Sequence, residues 1–148
     1  MKKSTKEPWM PADAYGRSMP PGLSLNLLVT DVPRSIGFHR TVFGANVVYD
    51  DPDIAVLRII AGGATIEFML HADHTYGDHP LTGAIDGVEA RGAGAEFRLH
   101  GIDPDQAEAA ARAADHIVLA GSMDKPHGMR EAYILDPDGY VWVPDRPL

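Results

Sequence analysis

The feature that most constrains this chain is an order of elements, strand, helix and then three strands, that can be read twice along it. In the first unit Leu23, Leu25, Leu27 and Val29 alternate with Ser24, Asn26, Leu28 and Thr30. A strand turns successive side chains to opposite faces, so this segment has one apolar face and one mixed face. Asp31 stands where a helix N-cap belongs, Pro33 sits in a first turn where its missing N–H costs nothing, and Gly44 can close the helix in left-handed conformation. Ile36, His39, Val42 and Phe43 give that helix an apolar stripe. Strands are expected at about 46–49, 54–60 and 64–71, punctuated by Asp51-Pro52-Asp53 and Gly62-Gly63. The second unit repeats the order with a strand at 95–102, a helix at about 104–114, and strands near 116–120, 130–135 and 140–143. Its last two strands are joined by Asp136-Pro137-Asp138-Gly139, a turn in which glycine supplies positive φ.

Two matched modules, 23–71 and 95–143, imply one α+β domain over 23–148 joined by a linker at 72–94. That linker is long for a compact domain and lacks a pattern of its own, so it reads as a flap or a connection. Residues 1–22 hold four prolines and two glycines, and read as an extended arm in which Trp9, Met10, Tyr15 and Met19 favour packing onto the body. With 148 residues the domain can bury a core without staples, and the chain has no cysteine for disulfides, thiol chemistry or thiolate metal sites. The basic start is not followed by an apolar signal core, so a cytoplasmic protein that neither is secreted nor spans a membrane is expected. A net charge of -8 argues against nucleic acid as a partner.

Two motifs carry a family resemblance. One is the strand-to-helix entry Leu27-Leu28-Val29-Thr30-Asp31-Val32-Pro33-Arg34-Ser35-Ile36-Gly37-Phe38 with its exit Phe43-Gly44, and the other is the late turn Leu135-Asp136-Pro137-Asp138-Gly139-Tyr140. Both together, each at its place in a βαβββ repeat, make the chain resemble the vicinal oxygen chelate superfamily: glyoxalases, bleomycin-resistance proteins and extradiol dioxygenases. The resemblance covers about Leu23 to Val143 and implies two modules forming a curled mixed sheet around a cup-shaped cavity, helices outside. It also implies a homodimer. In metal-dependent members, four ligands come from the first and last strands of the modules. Carried over, those positions fall on Ser24 (with Asn26 on the same face), Glu67, Glu96 or Phe97, of which strand alternation prefers Glu96, and Val143. Val143 coordinates nothing, and catalytic zinc needs three protein ligands, so no metal or other cofactor is expected.

Parity places Glu67, Met69 and His71 on one inner face and Glu96, Arg98 and His100 on another. In a functional reading Arg98 clamps an acidic group while Glu67 or the His71 imidazole moves a proton; in the plain reading the charges satisfy one another. Both leave Glu67 and Arg98 in one cup. Tyr133 and Trp142 are candidates to stack on a ligand, although strand aromatics are more often core. Between His71 and His79, three histidines and two aspartates suggest a ligand-covering flap, in a spacing that matches no metal motif. Phosphate loops, nucleophile elbows, zinc-protease helices and dinucleotide fingerprints are absent. The expected function is small-molecule binding of the bleomycin-resistance type, sequestering an amphipathic ligand. The alternative is an isomerase, lyase or dioxygenase of the same superfamily, with a shifted metal set or a cofactor-free acid/base site.

Overall fold

The computed structural model describes residues 1–75 and 77–148, so Tyr76 in the histidine-rich segment lies outside the described residues. The first module contains β1 (Leu25–Val29), α2 (Val32–Phe43), β2 (Asn46–Asp50), β3 (Ile54–Ala61) and β4 (Ala64–Ala72), preceded by α1 (Ala12–Ser18). After a 3-10 turn at Asp73–Thr75 and a short α3 (Thr82–Ile85), the second module runs β5 (Phe97–His100), α4 (Pro104–Ala113), β6 (Val118–Asp124), β7 (Met129–Leu135) and β8 (Val141–Pro147). Each module forms its own four-stranded mixed sheet in the same order, β1-β4-β3-β2 and β5-β8-β7-β6. In each, the first strand pairs parallel to the last and the others are antiparallel. Register shifts in β2 and β6 break the ladders of the two outer pairs, and such irregularities increase local twist and bend a sheet. The expected two-module α+β architecture is therefore found. Among the described residues no helix is long and apolar enough to cross a membrane.

The helix signals work as the sequence suggests. Asp31 accepts from Arg34 N at 2.8 Å, and Gly44 ends α2 at φ 64. Asp103 caps α4 in the same way, with Pro104 opening that helix. The arm differs from its expectation, because residues 12–18 form two helical turns. This helix buries none of its own residues, so it carries no apolar stripe for a periodicity argument to find.

Both sheets turn their apolar faces to one core. Leu27, Leu57, Phe68 and Leu70 of the first module join Leu99, Ile134 and Trp142 of the second, with Phe38, Val42 and Ala111 supplied by the two long helices. The rings of Phe68 and Trp142 lie 5.3 Å apart, so β4 and β8 meet through their apolar faces. Their opposite faces look away from this core. Hydrogen bonds fix the junction: Thr30 N and Oγ1 donate to Asp138 Oδ1 at 3.0 and 2.8 Å, and the Tyr140 hydroxyl donates to Leu28 O at 2.9 Å. Gly139, at φ 81, admits no side chain because a Cβ would come within 2.5 Å of Glu89 O.

His39 is enclosed at the centre of this core. It is 0% exposed, and neither ring nitrogen has a hydrogen-bond partner among the described residues. Its imidazole makes edge contacts with Phe68 at 4.9 Å and Trp142 at 4.7 Å. Burial lowers its pKa to about 3, so it is held neutral. Because the folded pKa lies below the unfolded value, the unfolded chain binds the proton more readily, and stability is lost as pH falls below the unfolded value of about 6.5. Wild type and His39→Leu, compared by urea unfolding from pH 7.5 to 4.5, should therefore diverge, the wild type losing stability relative to the variant on acidification. Parallel curves would show that His39 is not buried as described.

Candidate functional site

The face of the first sheet that turns away from the core carries Asn26 on β1 and Glu67 and Met69 on β4, because their neighbours Leu27, Phe68 and Leu70 are committed to the core. Parallel pairing sets Asn26 beside Met69. Ser24 precedes β1 on the same parity, and with Asn26, Glu67 and Met69 it lines a cavity of about 570 Å³. The other wall is the N-terminal arm, which contributes Tyr15 and Met19. Four residues singled out from the sequence are thus brought together, and the arm adds two that sequence reasoning did not place there.

Glu67 is held from two sides. Arg58, its cross-strand partner on β3, donates Nε–H to Oε2 at 2.7 Å, and the Tyr15 hydroxyl donates to Oε1 at 3.1 Å. Burial, together with the bond to Glu67 and its charge, raises Tyr15 to about 12. The arm is moored elsewhere too. Lys3 N and Ser4 N donate to the buried Asp53 carboxylate at 2.8 and 2.9 Å, and Trp9 stacks on Tyr49 with ring centroids 6.2 Å apart. Asp53 also meets His74 Nε2 at 2.8 Å, so one carboxylate ties both the arm and the start of the histidine-rich segment to the sheet.

A second polar cluster occupies the corresponding face of the second sheet. Arg98 on β5 donates to Asp145 through Nε at 3.2 Å and Nη2 at 3.0 Å, to Glu96 through Nη1 at 2.9 Å, and to Glu131 through Nη2. The Glu131 and Asp145 side chains are 1% and 0% exposed. Burial opposes the charge of Arg98, yet the bonds to Glu131, Glu96, Tyr133 and Asp145 outweigh it and raise its pKa. Tyr133 donates to Glu131 Oε1 at 2.9 Å, and His100 Nδ1 meets Asp145 Oδ1 at 2.7 Å. Within one chain Glu67 and Arg98 therefore belong to separate clusters and do not pair. The guanidinium is engaged by protein carboxylates, which leaves the acid-clamping role without support.

Other candidates are placed differently again. Trp142 is 0% exposed in the shared core and donates Nε1–H to Asp136 at 3.1 Å, so it does not stack on a ligand at the outer face; β8 parity sends it inward. His71 shares a face with Glu67, but it stands four residues further along β4, roughly 13 Å away, too far for one proton to pass directly. His71 is 6% exposed, and burial, reinforced by His79, lowers its pKa to about 4. A larger crevice of about 660 Å³ lies at the module junction, lined by Thr30, Arg34, Glu89, Asp136 and Asp138 among others. Its Thr30, Arg34 and Asp138 groups bond one another and join the modules, so the face cavity is the stronger site candidate.

Residues 23–143 match the sequence model of the Glyoxalase/Bleomycin resistance protein/Dioxygenase superfamily. The chain belongs to this superfamily. Solved structures agree on the fold. A glyoxalase/bleomycin resistance protein/dioxygenase from Nocardioides is 21% identical with a TM-score of 0.64, and covers 92% of each chain. TioX from Micromonospora sp. ML1 is 22% identical with a TM-score of 0.59, over 86% of this chain and 96% of its own. The genomically encoded fosfomycin resistance protein FosX from Listeria monocytogenes is 16% identical with a TM-score of 0.63, over 88% of this chain and 96% of its own. No curated protein matches the chain.

The superfamily's metal positions can be tested against these residues. Val143 has no donor atom and is 0% exposed, and Ser24 offers a neutral hydroxyl. Glu67 and Glu96 are each bound to an arginine. This donor set does not fit a catalytic divalent metal, which takes three nitrogen, sulfur or carboxylate ligands.

The clusters should also differ in their worth to the fold. Arg98→Met leaves Glu131 and Asp145 buried without their main counter-charge and should cost about 3–5 kcal/mol. Arg58→Met breaks a pair whose side chains are 49% and 33% exposed, and should cost under about 1 kcal/mol. Urea unfolding of both variants checks the ranking, and equal losses would contradict it.

Proposed function

We propose that this protein binds a compact amphipathic small molecule on the outer face of its first module, in the manner of a bleomycin-resistance protein and without a resident metal. The observation that carries the reading is the cavity between that face and the arm. It combines apolar walls from Met19, Pro20, Pro21 and Met69 with polar groups on Ser24, Asn26 and Glu67. Ligand sites are commonly concave and mostly apolar, with a few polar groups that fix orientation. Sequestration needs nothing more than this.

A homodimer accompanies the proposal. Supporting it, β1 and β5 are edge strands, and the two polar faces look away from the shared core, where a second copy can cover them. The cysteine-free composition suits a cytoplasmic location.

One observation favours an enzyme as the second reading. Buried Asp145 orients His100 through Nδ1 while the His100 side chain stays 71% exposed, which leaves Nε2 free to face a substrate as a general base.

Untagged protein exposed to zinc, nickel, manganese or iron and then desalted should retain well under one equivalent of metal, while native mass spectrometry of protein from cells should show a co-purifying small molecule. Stoichiometric metal lost in Glu67→Ala would overturn the metal-free reading. Turnover abolished by His100→Gln would favour the enzyme.

A further inference from the structure

Glu67 is the one charged side chain among the described residues lining the face cavity. Its two carboxylate oxygens are filled in unlike ways. Oε2 takes Arg58 Nε from the adjacent strand, a partner fixed by register opposite Glu67. Oε1 takes the Tyr15 hydroxyl from the arm, at the longer distance of 3.1 Å. The arm can yield more readily than the strand, because α1 buries none of its residues and the arm is fastened to the body by contacts of Met1, Lys3, Ser4, Lys6, Trp9 and Tyr15 instead of by a ladder. Its other end leaves the helix through Pro20, Pro21 and Gly22, with Gly22 at φ 140, outside the range that other residues adopt with ease.

Resting on the reading of this cavity as the ligand site, we propose that Tyr15 is a gating residue that competes with the ligand for Glu67. Its hydroxyl holds the place at Glu67 Oε1 that the ligand's own donor takes. The ligand class follows from that exchange. A molecule with a hydroxyl, amide or amine N–H on an apolar body replaces the tyrosine bond with an equivalent one. A molecule without a donor leaves a carboxylate oxygen poorly satisfied, and an anion meets the negative charge of Glu67 directly. The site selects apolar molecules that carry a hydrogen-bond donor, and rejects carboxylates and phosphates.

Three probes sharing one naphthalene ring test this by titration calorimetry on the full chain: 2-naphthol, 2-methoxynaphthalene and 2-naphthoate. Wild type should prefer 2-naphthol to both others. Tyr15→Phe keeps the ring and removes the bond that any ligand reaching Glu67 Oε1 must break, so it should tighten 2-naphthol and 2-methoxynaphthalene alike by roughly two- to tenfold while the preference for 2-naphthol persists. A merely structural role for Tyr15 would leave both affinities unchanged or weaken them, and would overturn the proposal. Glu67→Leu should erase the preference for the donor. Probes that bind with Glu67-dependent affinity but without donor preference would overturn the gating proposal and leave the ligand site standing. If no probe binds, or if binding ignores Glu67→Leu, both fall.

Discussion

The structure depends on the packing of two sheets, through their apolar faces, into one core around a buried imidazole. Phe68 from β4 and Trp142 from β8 meet there at 5.3 Å, with His39 edge-on to both rings. A strand has only two faces, so committing Leu27, Phe68 and Leu70 to the core sends Asn26, Glu67 and Met69 outward. The second module obeys the same rule, with Phe97 and Leu99 inward and Arg98 outward. The location of both polar clusters is a consequence of the hydrophobic pattern, and their separation follows from the modules meeting on their apolar sides.

The two clusters are built for different tasks. Around Arg98, two carboxylates without solvent exposure converge on one guanidinium whose Nε and both Nη groups are engaged. Such a closed network holds its own members and has little left for a ligand. Around Glu67 the opposite holds. The carboxylate is one-third exposed, it borders a cavity, and one of its two partners comes from the arm, whose helix buries none of its residues. Chemistry that requires a displaceable contact therefore belongs on the first module.

Much of this was legible in the sequence. The caps at Asp31 and Gly44 and the parity of Glu67 follow from local rules that the tertiary structure does not override. The Arg58–Glu67 pair was also within reach: the tight turn at Gly62-Gly63 sets the β3–β4 register, and counting outward from Ala61 opposite Ala64 brings Arg58 opposite Glu67. What could not be read was long-range. Nothing local shows that Tyr15 reaches across to Glu67, 52 residues on, because a two-turn helix with no buried stripe carries no pattern. Nor does parity alone say whether two outward faces share one cavity. That depends on how the modules pack, and here Glu67 and Arg98 fall in different clusters of one chain. Trp142 was open to two readings until the Phe68 contact assigned it to the core.

The central claim is that a ligand sits between the arm and the outer face of β1 and β4. Methionines report on this directly, since Met19 and Met69 flank the cavity whereas Met123 and Met129 lie in the second module. In methyl-13C-methionine NMR, titration with 2-naphthol should shift the Met19 and Met69 signals together and leave Met123 and Met129 in place. Shifts confined to Met123 and Met129, with Met19 and Met69 unmoved at saturation, would contradict the account.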